Sequence, residues 1–118
     1  MKDFRTLHVW KKAHELTLHV YKITNTFPKE ELFGLTSQMR RSSSSIPTNI
    51  AEGCGRGSDA EFRRFLQIAF GSLSELDYQL ILAGDLGFVG SERQAELAAS
   101  LVEIRRMLAT LIRKVKSS

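Results

Sequence analysis

The sequence has little of what secreted, membrane-spanning or disordered chains need. Its single cysteine, Cys54, cannot form an internal disulfide, which favours a reducing compartment. No apolar run approaches the roughly 20 residues that cross a bilayer, and the N-terminus lacks an apolar stretch of signal-peptide length. Two prolines and 42% hydrophobic residues in 118 are typical of a folded domain. We therefore expect a cytoplasmic protein with one domain over residues 1–118 and no membrane association.

The patterns of metal and nucleophile chemistry are also missing. His14 and His19 are five residues apart, whereas a metalloprotease helix needs two histidines four apart on one face. The glycine-rich segment 53–57 follows a predicted helix and lacks the lysine and hydroxyl pair of a phosphate-binding loop. Nothing in the sequence supplies Cys54 with a histidine base. We therefore predict no enzyme activity, no metal site and no cofactor.

Hydrophobic spacing predicts four helices and no strand. The first helix runs from about Thr6 to Thr26, and the second follows Pro28 and ends near Gly53. The third begins at a capping box, 58–61, and the fourth at a similar pattern, 91–94. The third helix has the longest seam of nearly 3.5-residue period: Phe62, Leu66, Ala69, Leu73, Leu76, Leu80 and Ala83. Short connections and such seams predict an all-α, antiparallel up-and-down four-helix bundle.

The second helix runs at helical period through a proline. Leu32, Leu35 and Met39 start its apolar face, which continues on the far side of the proline. Pro47 has no N–H and its ring presses on the carbonyl of Ser43, so we expect that carbonyl to lose its helical donor and the helix to kink. The kink is either a structural device that lets the helix follow its neighbours or a binding notch.

The predicted seams do not use all the large apolar residues. Phe65, Ile68, Phe70 and Ile81 fall beside the seam of the third helix, and Trp10 lies beside that of the first. Because one bundle buries one stripe per helix, these side chains predict a second contact surface. Self-association is the economical way to cover them, since a homo-oligomer uses the same patch in every subunit.

The charge of the chain permits a nucleic-acid partner. The formal net charge is +4 with a pI near 9.5, and arginines make up ten of the seventeen basic residues. Arginine favours bidentate phosphate contacts. Ordinary solvated helix faces are the alternative interpretation, because adjacent basic residues point about 100° apart on a helix.

Several segments together resemble a known family. They are Trp10 after Leu7-His8-Val9, the turn Phe27–Glu31, and the segments 34–41, 45–53, 65–76 and 103–108. On these segments the chain resembles the four helix bundle proteins, also known as the 23S ribosomal RNA intervening-sequence proteins. The serines at 42–45 depart from the usual pattern, in which alanines are common, and this puts the tightness of local packing in question.

The resemblance implies a bundle that assembles into a ring-shaped homopentamer. Members of the family are encoded in inserts of ribosomal RNA genes or elsewhere in bacterial genomes. A related branch, the accessory variability proteins of diversity-generating retroelements, binds nucleic acid and a reverse transcriptase. The resemblance therefore makes RNA or DNA the leading partner, with a protein such as a reverse transcriptase as another.

Two sets of residues follow from these hypotheses. The predicted nucleic-acid contacts are Lys11, Lys12, Arg40, Arg41, Arg56, Arg63, Arg64, Arg105 and Arg106. The predicted oligomer interface or structural signature consists of Trp10, Arg41, Ser45, Pro47, Asn49, Glu52, Phe65 and Phe70. The rival hypothesis is a scaffold without nucleic acid, which uses the polar face with Arg41 and Glu52 for a protein partner or for its own subunits. Charge reversal at Arg40 and Arg41 is expected to separate the two.

Overall fold

The computed structural model describes residues 2–115 and shows a bundle of four α-helices. Two short 3₁₀ turns, Phe4–Thr6 and Lys29–Glu31, precede the first and second helices. The helices are α1 (His8–Thr24), α2 (Leu35–Cys54), α3 (Asp59–Asp85) and α4 (Ser91–Lys114). That part of the chain contains no strand, and none of its helices has the length and apolarity to cross a membrane. The predicted all-α four-helix bundle is confirmed.

The start of α2 differs from the sequence prediction. Pro28 opens a separate 3₁₀ turn, and the α-helix begins only at Leu35. The backbone N–H of Leu35 donates to the Glu31 carboxylate at 3.1 Å, so an acidic residue of the turn satisfies one of the free donors of the helix. As a result Leu32, which we placed on the core face, lies before the helix and is 51% exposed.

The two predicted capping boxes have different outcomes. The Ser58 hydroxyl accepts from the Glu61 N–H at 3.2 Å, as the pattern before α3 predicts. At α4 the capping residue is Gly90, without a side-chain cap, and Ser91 is already helical. The side chain of Gln94 instead donates to the carbonyl of Leu80 at 3.3 Å, which joins the start of α4 to the last turns of α3.

Each helix packs against two others. α2 lies between α1 and α3, and α4 packs against both α1 and α3. Arg63, near the start of α3, donates to the carbonyl of Ile112, near the end of α4, at 3.3 Å. Together with the link from Gln94 to Leu80, this contact shows that α3 and α4 run in opposite directions.

The core contains the predicted seams. All seven seam residues of α3 are buried, and so are Leu97, Leu101, Ile104 and Leu108 of α4. α2 and α3 are in close contact at Gly53 of α2. A Cβ added there would lie 2.9 Å from the Cβ of Phe65 and 3.0 Å from Cδ1 of Phe62, so the α2–α3 contact requires glycine.

Helix α1 supplies the hydrogen-bond donor that Pro47 of α2 lacks. α2 is continuous across Pro47. The carbonyl of Ser43, whose helical donor the proline removes, accepts from the hydroxyl of Thr17 on α1 at 3.0 Å. Both residues are buried. The carbonyl that we predict to lose its helical donor thus accepts a hydrogen bond from another helix. The bend at Pro47 stays a prediction.

Candidate interaction surfaces

Arg40 connects α1 to α2. Its Nε donates to the hydroxyl of Thr24 at 2.8 Å, and its Nη2 donates to Oδ1 of Asn25 at 2.9 Å. The guanidinium also lies over the Tyr21 ring, 4.8 Å from its centre. Charge reversal at Arg40 would therefore disturb the fold itself. Only Arg41, which is exposed, can separate assembly from nucleic-acid binding as we intended for the pair.

Arg56 and Arg64 cover one aromatic ring. Their guanidinium carbons lie 4.7 and 5.2 Å from the centre of the Phe65 ring. Arg56 pairs with Glu52 at 3.2 Å, and Arg64 pairs with Glu61 at 3.7 Å. The structure thus brings Glu52, Arg56, Arg64 and Phe65 together at the α2–α3 connection, and the two arginines shield apolar surface that we expected a partner to cover.

Two more predicted contacts join α3 to α4. Arg105 pairs with Asp77 at 3.3 Å and lies 5.1 Å from the centre of the Phe70 ring. Arg63 is half-buried and bonds to the backbone of α4, as described above. Phe70, like Phe65, is therefore half-buried beneath an arginine of its own chain.

The remaining predicted contacts are on the surface. Lys12 is 3.6 Å from the Glu103 carboxylate, which links α1 to α4. Lys11, Arg41 and Arg106 are exposed, and within residues 2–115 their side chains form no ion pair or hydrogen bond. These three of the nine can contact a ligand without losing a contact of the fold.

The helices divide the charge of the chain between two sides. α1 and α4 together carry eight Lys and Arg against four Asp and Glu. α2 and α3 carry four against six. We call the α1–α4 side the basic face; its basic residues are Lys11, Lys12, Lys22, Arg93, Arg106, Arg113 and Lys114. The sequence alone does not show this asymmetry, because it depends on α1 and α4 being neighbours in the bundle.

Two grooves cross the basic face. One, of about 450 Å³, has basic residues at its edge and an apolar floor that includes Met107 and Leu111; its basic lining residues are His8, Arg106 and Lys114. The other, of about 300 Å³, lies nearer the opposite end of α1; its charged lining residues are Lys22, Arg93 and Glu96, and His19 also borders it. Positive side chains therefore border the α1–α4 seam near both ends of the bundle.

A polar groove of about 490 Å³ runs along the outside of α2, facing α3. We call it the α2–α3 groove; it is lined by Gln38, Arg41, Ser42, Ser44, Ser45, Thr48 and Glu75. The hydroxyls of Ser45 and Ser72 are 2.8 Å apart, and the Ser42 hydroxyl donates to Oε1 of Gln79 at 2.6 Å. In residues 2–115 every buried side-chain polar atom has a hydrogen-bond partner. Two of the four unusual serines, Ser42 and Ser45, thus link α2 to α3.

Trp10 and Pro47 lie together in a fourth groove. This groove, of about 620 Å³, is bordered by α1 and α2 and also includes Glu52. The Trp10 ring stacks on His14 with centres 5.2 Å apart and an interplanar angle of 9°. Phe4 contacts the same ring at 4.9 Å. Trp10 is therefore partly covered by residues of its own chain.

Exposed apolar side chains are most prominent on α3. Ile68 is 40% exposed, Tyr78 62% and Ile81 51%, and Val102 of α4 is 53% exposed. The expectation that Ile68 and Ile81 lie outside the core is thus confirmed. Phe33, in the turn before α2, is 93% exposed.

The described residues offer little for catalysis. No group of three or more His, Cys, Asp or Glu within residues 2–115 is placed to hold a metal ion. Burial raises the pKa of the Cys54 thiol, and the nearby positive charge of Lys2 only partly opposes that shift. A raised pKa lowers the thiolate fraction and works against a nucleophilic role.

Comparison with known proteins identifies the family. The family model described as 23S rRNA-intervening sequence protein matches residues 5–110. The chain belongs to this family. A 1.70 Å crystal structure, described as a protein with unknown function from the S23 ribosomal protein family of Bacteroides thetaiotaomicron VPI-5482, is similar at a TM-score of 0.83. It is 26% identical, and the alignment covers 90% of this chain and 96% of that one. No curated protein matches the chain. The family resemblance inferred from the sequence is confirmed.

Proposed function

We propose that this family member is a non-enzymatic homo-oligomer, a pentamer by the family resemblance, that binds RNA or another nucleic acid through its basic face. The separation of charge between the two sides of the bundle carries this proposal. Eight basic against four acidic residues on α1 and α4 create a positive surface, and the phosphate backbone of nucleic acid is attracted to such a surface whatever its sequence.

The residues of the basic face favour phosphate contacts over base recognition. Lys11 and Arg106 are exposed and have no partner in the described chain, so they can bind phosphate without breaking a link of the fold. The aromatic ring of Trp10 stacks on His14 and does not form an open platform for bases. We therefore expect weak sequence preference. Repetition of the basic face around an oligomer would raise the overall affinity through multivalency.

The exposed apolar surface supports the oligomeric part of the proposal. Tyr78 and Ile81 of α3 and Val102 of α4 are each more than half exposed. A soluble monomer rarely leaves several large apolar side chains on neighbouring helices uncovered, whereas a homo-oligomer covers them in every subunit. Light scattering at micromolar concentration measures the mass directly, and a stable monomer would contradict this part.

One observation favours the rival scaffold function. Six of the nine predicted nucleic-acid contacts bind groups of their own chain: Lys12, Arg40, Arg56, Arg63, Arg64 and Arg105. Their charges are partly neutralised or committed to the fold. Under the rival function the free basic residues serve protein contacts only, and no nucleic acid binds.

The discriminating experiment titrates a fluorescent RNA hairpin with the intact protein over a range of salt concentrations. We expect affinity to fall steeply with salt, because each phosphate contact releases about one counterion. Arg106→Glu should weaken binding by about tenfold or more and reduce the salt dependence by about one unit per lost contact.

Lys29→Glu is the matched control for the hairpin titration. It makes the same charge change at an exposed residue of the 3₁₀ turn, away from the basic face, and should leave the affinity within about twofold. Equal losses in the two variants would show that net charge, and not the basic face, attracts RNA. Binding that ignores salt, or no binding at low salt, would contradict the proposal and favour the scaffold.

A further inference from the structure

We infer that the outward face of α3 around Gly71, together with the adjoining α2–α3 groove, is the surface through which one copy of this chain packs on a second copy. We call the exposed residues Ile68, Gly71, Glu75 and Tyr78 the α3 stripe, because their spacing places them along one face of the helix. The inference rests on the self-association proposed above and assigns it a place on the bundle.

No contact within the described chain requires glycine at position 71. It lies inside the 27-residue helix α3, where glycine is the poorest helix former apart from proline. A Cβ at Gly71 would meet no atom within 4 Å, whereas at Gly53 the same position is filled by α3. A missing side chain on an open helix surface allows another backbone to approach closely. Gly71 therefore suits contact with a second molecule.

Exposed apolar side chains flank Gly71 on its face of α3. Ile68, one turn before it, is 40% exposed, and Tyr78, two turns after it, is 62% exposed. Apolar surface is therefore exposed on both sides of a residue that has no side chain. Tyrosine is favoured at interfaces because it buries a large area and retains a polar end.

Two unpaired charges identify the partner as a second copy. Arg41 and Glu75 both line the α2–α3 groove and are exposed, yet neither forms an ion pair in the described part of the chain. Arg56 and Arg105, which lie near this side, are paired within their own chain. A surface that carries one free cation beside one free anion is complementary to another copy of itself. Arg41 of one copy can then pair with Glu75 of the next.

The overall charge of this side favours protein over nucleic acid. α2 and α3 together carry four basic and six acidic residues, so phosphate gains little there. The basic face would repel a second basic face, whereas the α2–α3 side does not carry that penalty. Assembly through this side leaves the basic face turned outwards.

The first experiment compares Gly71→Arg with Ala99→Arg, using size-exclusion chromatography with light scattering. Both positions are exposed and lie inside helices, and Ala99 is on the outer surface of α4. We expect Gly71→Arg to give a monomer with unchanged helical circular dichroism and Ala99→Arg to keep the mass of the wild type. An oligomer in both variants would overturn the inference.

The second experiment exchanges the two charges. Arg41→Glu should weaken self-association by about tenfold or more, and adding Glu75→Arg should restore it, because the pair is re-formed with its signs reversed. Weakening without restoration would overturn the Arg41–Glu75 pairing. A wild type that oligomerises but tolerates Gly71→Arg and Arg41→Glu would overturn this inference and leave the proposed self-association intact. A monomeric wild type would overturn both.

Discussion

The hydrogen bond between Thr17 and Ser43 predicts that a hydroxyl on α1 stabilises the fold, because a proline on α2 has removed the helical donor of the Ser43 carbonyl. Thr17→Val keeps the shape of the side chain but removes the hydroxyl that donates to the Ser43 carbonyl at 3.0 Å. Pro47 cannot supply a replacement donor. The carbonyl belongs to a fully buried residue, so water does not reach it without local opening. A buried acceptor without a partner costs about 1–3 kcal/mol.

The same substitution should cost less after Pro47→Ala. Alanine brings back the N–H that bonds to the carbonyl four residues earlier in a helix. The Ser43 carbonyl is then satisfied within α2, and the Thr17 hydroxyl becomes dispensable. The single proton of the Thr17 hydroxyl is shared with the carbonyl of Ala13, also 3.0 Å away, but this carbonyl lies within α1 and keeps its helical donor. We expect a coupling energy of about 1–2 kcal/mol between the two substitutions.

The assay is a double-mutant cycle measured by urea denaturation and far-UV circular dichroism. The four proteins must be compared at one concentration, because any self-association adds to apparent stability. Thr17→Ser, which keeps the hydroxyl, is the control and should lose less than Thr17→Val. Equal costs of Thr17→Val in the Pro47 and Pro47→Ala backgrounds, within about 0.5 kcal/mol, would refute the compensation.

Two further stability predictions follow from single contacts. Arg40→Ala should cost about 1.5–3 kcal/mol, because it removes charged hydrogen bonds to Thr24 and Asn25; Lys11→Ala, a cation without such partners, should stay within about 0.5 kcal/mol. Equal thermal melting of these two variants would contradict the linking role of Arg40. Gly53→Ala should cost about 1–3 kcal/mol by overpacking against α3; denaturation with a wild-type midpoint would show that the helices separate easily there.

Hydrophobic periodicity was sufficient to predict most of the fold. The seam of α3 could be read from the sequence because every third or fourth residue is apolar over a long helix, and all of it is buried. The capping box at Ser58 was equally local, since a hydroxyl and an N–H three residues apart need nothing from the rest of the chain. These two features are encoded by neighbours in sequence and were therefore predictable.

Features that depend on a second helix were not predictable. The start of α2 is a local exception: the pattern places it too early, because the sequence does not show that Glu31 caps Leu35 while Leu32 lies outside the helix. Arg40 and Arg41 look equivalent as adjacent arginines. Only the position of α1 makes Arg40 a link of the fold and leaves Arg41 free. For the same reason the sequence does not show that the Thr17 hydroxyl donates to the carbonyl of Ser43, which is 26 residues away.

The two proposed surfaces fit one bundle because its helices segregate charge to two sides of the core. Since α2 contacts α1 and α3, and α4 closes the circle, the basic helices α1 and α4 lie side by side, and so do α2 and α3. A chain whose basic residues were spread evenly would repel its copies wherever they met. Here an assembly built through Gly71 and the Arg41–Glu75 pair leaves Lys11 and Arg106 on the opposite side, exposed in every subunit. Disrupting that assembly by Gly71→Arg should therefore weaken RNA binding through lost multivalency, even though Gly71 is far from the basic face.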